Sequence, residues 1–295
     1  MIGKTSLAAA LGSAALLVAG AAWAQTPAAA DNSQDWKAAV PRIPGQNVNG
    51  MRVYIRAGLK THAPGEHDYP QFLADFSKVL TRQGAVVDGS LHEPTAAELE
   101  RTDVLVVYKG DAGFMSPEGR AALQAFVKRG GGIVVLHDGM CGPDPKEMAR
   151  YLGGAKKHGE VNYTLAAKVP YTIIDRAHPV MQGMTDMTLQ DEAFFNMTWS
   201  ENPKINVLAT AVIDGTPSAG AHKGEVVPQI WTYEHQEPGG KPARSFTWMQ
   251  GHNYSNIANP QIEAMLLRAI AWAGHRPANE LVDYKPPPRP ARRAG

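Results

Sequence analysis

Two nearly uninterrupted apolar runs, Asp103-Val-Leu-Val-Val-Tyr108 and Ile133-Val-Val-Leu136, limit what this chain can fold into more than any other feature. Neither alternates with polar residues. A strand that is apolar at successive positions has to be covered on both faces, which is the pattern of a central parallel strand. Between the runs, Ser116-Pro117-Glu118 starts a helix, with Ser as N-cap and Pro at the first helical position. Leu123, Phe126 and Val127 form its inner face, and Gly130-Gly131-Gly132 stops it. Strand, helix and strand in that order imply right-handed crossovers and a parallel sheet with helices on both faces.

The same pattern extends upstream and downstream. Residues 51–56 read as a first strand, followed by a loop over 57–69. Pro70 opens a helix in which Phe72, Phe76, Val79 and Leu80 recur at i, i+4, i+7 and i+8. Residues 85–88 are a short strand and 95–101 a helical turn. The second half is richer in strands, with candidates at 171–175, 206–213, 226–233 and 244–249. Asn259-Pro260 caps a last helix that buries Ile262, Met265, Leu266, Ala269 and Ile270. No internal repeat is visible.

The flanks have a different character. Lys4, the apolar stretch 7–20 and Ala22-Trp23-Ala24 make residues 1–24 a secretory signal, cleaved after Ala24. The expectation is a periplasmic or secreted protein with no membrane span in the mature chain. Residues 25–48 are expected to be a flexible leader, 49–277 one domain and 278–295 a proline-rich basic tail. A formal net charge of +1 gives no reason to expect nucleic acid as a partner. The single cysteine, Cys141, excludes an internal disulfide. The triple glycine precedes a strand, whereas a dinucleotide fingerprint follows one, so no nucleotide cofactor is expected.

Histidines mark the candidate site. His67, His137, His158 and His252 each stand at a strand end or in a glycine-marked turn, and Asp191-Glu192 joins them. In an open α/β fold such turns converge on the crevice at the carboxyl ends of the strands. Imidazoles and carboxylates there point either to a divalent metal (Zn, Mn, Ni or Fe) or to proton transfer. No compact HxxxH or HExxH spacing occurs, so metal ligands would come from distant loops, with His67, His137 and His252 the candidates. His62 lies close enough to His67 to share the site. Neighbours in an extended segment point to opposite sides, so only one of Asp191 and Glu192 is expected to face the pocket. His178 precedes a proline and is read as structural, and His92, His222 and His275 as solvated.

Several segments, in order, carry a resemblance. They are Gly65-Glu66-His67-Asp68, residues 102–108, residues 123–126, Arg129-Gly130-Gly131-Gly132 running on to His137, and Gly153-Gly154 with His158. His178-Pro179-Val180 with Gly183, Asp191-Glu192, Gly251-His252 and Ala271-Trp272-Ala273 follow. Over about residues 50–275 the chain resembles ThuA-like (trehalose-utilisation) proteins. The resemblance implies a three-layer α/β/α fold with a mostly parallel sheet, related to class I glutamine amidotransferases, with extra strands in the second half.

The resemblance also implies carbohydrate metabolism, with a glycoside or 3-keto-glycoside as ligand and a sugar oxidoreductase as a pathway partner. The implied activity is that of a lyase or hydrolase. His137 or His67 would remove a proton beside the keto group, and Glu192 or Asp191 would assist loss of the aglycone. His158, His252, Tyr254 and Asp138 would contact substrate, and Trp199, Trp231, Trp248 and Tyr254 offer stacking faces. A non-catalytic sugar-binding module, or subunit of a complex, is one rival. A cysteine-dependent amidase is another, although His137 stands where an amidotransferase carries its cysteine and Cys141 is expected to be an inert thiol. Two departures from the family pattern are Asp138 directly after His137 and a long loop at 233–241 carrying Glu234 and His235.

Overall fold

The computed structural model describes residues 50–160, 162–164, 168–201, 205–214 and 217–283. The expected export segment 1–24, the leader 25–48 and the tail from residue 284 lie outside them. In chain order the first half contains β1 (Arg52–Ala57), α1 (Tyr69–Arg82), β2 (Val86–Ser90), α2 (Ala96–Glu100), β3 (Val104–Tyr108), α3 (Pro117–Lys128), β4 (Gly132–Leu136) and α4 (Pro145–Leu152). The second half contributes β5 (Val169–Ile173), β6 (Met187–Leu189), β7 (Ile205–Val212), β8 (Val226–Gln236), β9 (Pro242–Trp248) and α5 (Pro260–Ala273).

These strands form one sheet in the order β2-β1-β3-β4-β9-β8-β7-β5-β6. From β2 to β9 every pairing is parallel. From β9 to β6 every pairing is antiparallel. The extra strands expected of the second half are this antiparallel wing.

Alternation explains why β3 and β4 are apolar throughout. Val104, Val106 and Tyr108 face one core together with residues of α1 and α5. Leu105 and Val107, one position on, face the other with residues of α3 and α4. The result is three layers, α/β/α, with β3 and β4 in the middle. The helix starts follow local chemistry. Ser116 accepts the Gly119 N–H at 2.9 Å to cap α3, and Asn259 accepts the Gln261 N–H at 2.9 Å to cap α5. Helix α4 obeys the same rule, with Asp144 accepting the Lys146 N–H before Pro145. It is absent from the sequence reading above although its start signal stands in the chain.

Two sequence expectations change. Strand β8 continues to Gln236, pairing Glu234 with Arg244 and His235 with Ala243. The long loop at 233–241 is therefore a short turn at 237–241, because antiparallel pairing with β9 satisfies the backbone of residues 233–236. The domain also runs past residue 277: turns at 278–283 seat Leu281, 2 % exposed, in the core.

His235 has a consequence for stability. Its ring stacks on Tyr233 at 4.9 Å, and both ring nitrogens are buried without a hydrogen-bond partner. Burial lowers its pKa below the ordinary 6.5. The unfolded chain therefore takes up a proton that the folded chain resists, and stability falls as pH drops below about 6.5. His235→Phe is expected to reduce that acid loss of the urea midpoint. An unchanged pH slope would show that the buried ring is not what the acid acts on.

Among the described residues no helix is long and apolar enough to cross a membrane.

Candidate functional site

The loops at the carboxyl ends of β1, β3, β4 and β9 meet residues 156–160, Tyr163 and Glu192 around an open cleft of about 510 Å³. Backbone bonds bring the first of these loops to the last. The His67 N–H donates to the His252 carbonyl at 2.9 Å, and the Tyr254 N–H to the Gly65 carbonyl at 2.8 Å. Gly251, at φ 126°, makes the turn that carries His252. Four residues lining the cleft or its floor have positive φ without being glycine: His62 (63°), His67 (47°), Asp111 (56°) and His137 (52°). Strain of this kind persists only where the surroundings enforce it, and it concentrates at functional sites.

Three imidazoles converge. His67, His137 and His252 offer ring nitrogens that all lie within 4.8 Å of one another. His137 is fully buried, and its Nδ1 lies 3.2 Å from the Met249 carbonyl. A carbonyl only accepts, so Nδ1 carries a hydrogen. His137 Nε2 meets His67 Nε2 at 2.8 Å, while Thr61 Oγ1 sits 3.0 Å from His67 Nδ1. One of these two facing Nε2 atoms carries the hydrogen of the contact. His252 Nδ1 is buried with no hydrogen-bond partner, 3.6 Å from Glu192 Oε1. Burial, reinforced by the neighbouring rings, holds the His67 and His252 pKa values below the ordinary range, so both stay neutral. His62 joins them, with its ring centroid 3.9 Å from that of His67.

Two carboxyls beside the trio are driven in opposite directions. Burial, and then the nearby Asp138 charge, raise Glu192 to about 8. Burial alone would raise Asp138 too, but His137 and Lys156 beside it hold its carboxyl well below the usual range. Lys156 Nζ pairs with Asp138 at 2.7 Å and lies over the Tyr163 and Phe194 rings. Glu192 Oε2 and Asp138 Oδ2 stand 3.7 and 3.8 Å from His137 Nε2. One protonated and one ionised carboxyl next to imidazoles can donate and accept protons near neutral pH.

The structure brings His67, His252, Glu192, Asp138 and His158 into one cleft, sets the fully buried His137 against His67 and leaves other candidates out. Asp191 is turned into the protein. Its carboxylate accepts the backbone N–H groups of Glu192, Gly251, His252 and Asn253 and the Asn256 side-chain amide. It is a clamp for the turn, because three successive N–H groups converge on it. Tyr254 also faces elsewhere, donating its hydroxyl to Asp75 at 2.9 Å. Trp231 and Trp248 are fully buried core residues, and Trp199 lines a different groove beside Arg150 and Tyr233. Cys141 is 2 % exposed, and burial and Asp111 push its thiol up, away from nucleophilic thiolate. Lys156 and Tyr163 also line the cleft and are not among the sequence candidates. Nothing in their local sequence separates a buried ion-pairing lysine from a solvated one.

A family model described as trehalose utilisation (ThuA) matches residues 59–273. Among solved structures, a ThuA-like protein from Bacteroides uniformis is 16 % identical with a TM-score of 0.57, over 76 % of this chain and 91 % of that one. A ThuA-like protein from Parabacteroides merdae is 19 % identical with a TM-score of 0.56, over 76 % of this chain and 90 % of that one. At these identities the likeness is one of fold, the amidotransferase-like α/β/α arrangement. No curated protein matches the chain.

Proposed function

The chain belongs to the ThuA family of trehalose utilisation, and from that premise we propose that its cleft performs acid–base chemistry on a glycoside or 3-keto-glycoside, with a divalent metal held by His67, His137 and His252. The observation that carries this reading is the trio itself: three imidazoles with ligating nitrogens within 4.8 Å, one of them buried and unpartnered. Nitrogen ligands of this kind suit Zn²⁺ and its neighbours. A bound ion would polarise the substrate carbonyl.

Glu192 is the proton-transfer group, because it reaches both His137 and His252. In its ionised form it removes the proton from the carbon next to the keto group. The electron pair of that bond forms a carbon–carbon double bond as the aglycone oxygen departs, and Glu192 returns the proton to that oxygen. Addition of water to the double bond turns elimination into net hydrolysis. Asp138 and Lys156 form a fixed ion pair for substrate hydroxyls, with His158 and Tyr163 on the same wall. Export through residues 1–24, and a sugar oxidoreductase that supplies the keto group, belong to the same proposal.

A second reading keeps the site free of metal. The 2.8 Å contact between His67 and His137 favours it, since a shared proton already accounts for that spacing. The proton-sharing His67–His137 pair is then the base and Glu192 the acid.

Elemental analysis beside turnover of a 3-keto-glycoside tests both readings. The metal reading expects an equivalent of divalent ion that is lost with activity in His67→Ala and His252→Ala. Turnover that survives complete chelation selects the metal-free reading. Ligand binding without any turnover would overturn both in favour of a binding module.

A further inference from the structure

A second set of ligating atoms lies in the same cleft. Asp111, Cys141 and His158 offer a carboxylate oxygen, a thiol sulfur and an imidazole nitrogen, all within 4.8 Å of one another. They come from three loops: the one after β3, the one after the turn His137–Met140, and the one after the short strand Gly154–Ala155. Backbone bonds lock those loops together. The Gly113 N–H donates to the Cys141 carbonyl at 2.8 Å, Asp111 to Asp138 at 3.2 Å and His158 to Gly142 at 2.8 Å. Gly113 and Gly142 are in direct backbone contact, and a Cβ on either would lie 2.8 Å from the other's Cα. Only glycine at both positions lets Cys141 come this close to Asp111.

The arrangement exceeds what a surface ion pair requires. His158 Nδ1 meets Asp111 Oδ1 at 2.9 Å with both side chains substantially exposed, a contact worth little on its own. Yet Asp111 is held at a positive φ, and a buried thiol is aimed at the same point. A thiol only 2 % exposed is poorly placed to meet a substrate as a nucleophile. It becomes a ligand when an arriving cation displaces its proton.

We propose that Asp111, Cys141 and His158 form a second cation site, separate from the histidine trio, that takes Zn²⁺ or a similarly thiophilic divalent ion and fastens the three loops at the cleft wall. Sulfur and nitrogen with one carboxylate select such ions over Mg²⁺ or Ca²⁺. The exposed side of His158 gives an arriving ion access from the cleft.

Cobalt titration of the full, chelator-stripped chain in a non-thiol reductant tests the site. Thiolate bound to Co²⁺ gives a near-ultraviolet charge-transfer band that histidine and carboxylate ligands do not. With one cysteine in the chain, only Cys141 can be its source. The band is expected in the parent protein, absent in Cys141→Ser and retained in His67→Ala. In His158→Ala, an exposed change that spares the core, cobalt binding read from the band should weaken by at least the roughly 10–100-fold that even outer-shell changes cost. No band at saturating cobalt, or a midpoint unmoved in His158→Ala, would overturn the proposal. Because the trio contributes no sulfur, the band also stands or falls independently of the metal reading proposed for the trio.

Discussion

His137→Ala is expected to lower turnover of a 3-keto-glycoside by roughly 10²–10⁴-fold, the range for losing a positioned acid–base or ligating group. The size follows from how completely the ring is committed. It is fully buried, its Nδ1–H is tied to the Met249 carbonyl, and its Nε2 points at His67. No other imidazole can swing into that place, since His252 belongs to a separate turn stitched to the His67 loop. Alanine also removes a ring packed edge-on against Phe194 and leaves a cavity, at a cost of order 2–4 kcal/mol. His137→Asn separates the two effects. Asparagine tolerates the positive φ and can still donate to Met249, but it presents no imidazole lone pair. Steady-state kinetics on both variants, beside their urea midpoints, make the comparison. Turnover within about tenfold of the parent in a folded His137→Asn would remove His137 from the chemistry.

Asp191→Ala should cost about 3–5 kcal/mol of stability, the range for removing one partner from a buried charged arrangement. Five N–H donors share that carboxylate, and three of them are consecutive backbone groups that have no alternative acceptor at hand. Asp191→Asn, nearly the same shape, should lose almost as much, because its NH₂ must face those donors. A drop in urea midpoint at constant slope reads the change. A catalytic acid at this position would give the opposite outcome, with activity lost and the midpoint unmoved in Asp191→Asn.

The Asp191–Glu192 pair shows where the amino-acid sequence stops. Alternation alone says that the two side chains diverge. Which one meets the cleft depends on the turn at 251–253, some sixty residues away, which captures Asp191 and leaves Glu192 beside the histidines. Tyr254 and the tryptophans illustrate the same point. Their residue types suit a sugar platform, but Trp231 and Trp248 belong to β8 and β9 at the middle of the sheet, where packing takes them. Helix α4 is a different matter, since Asp144-Pro145 announces it locally.

By itself the amino-acid sequence determined the layers, the parallel half of the sheet, the capped helices α3 and α5 and the placing of His67, His137 and His252 at strand ends or turns. Those features depend on burial period and capping over a few residues, so they can be read wherever they occur. The tertiary structure alone decided that these histidines meet. His67 and His137 are 70 residues apart, and His137 is oriented by a carbonyl 112 residues further on. The same long-range packing set which carboxyl is protonated and which ionised, because burial and neighbouring charge, rather than residue type, govern both.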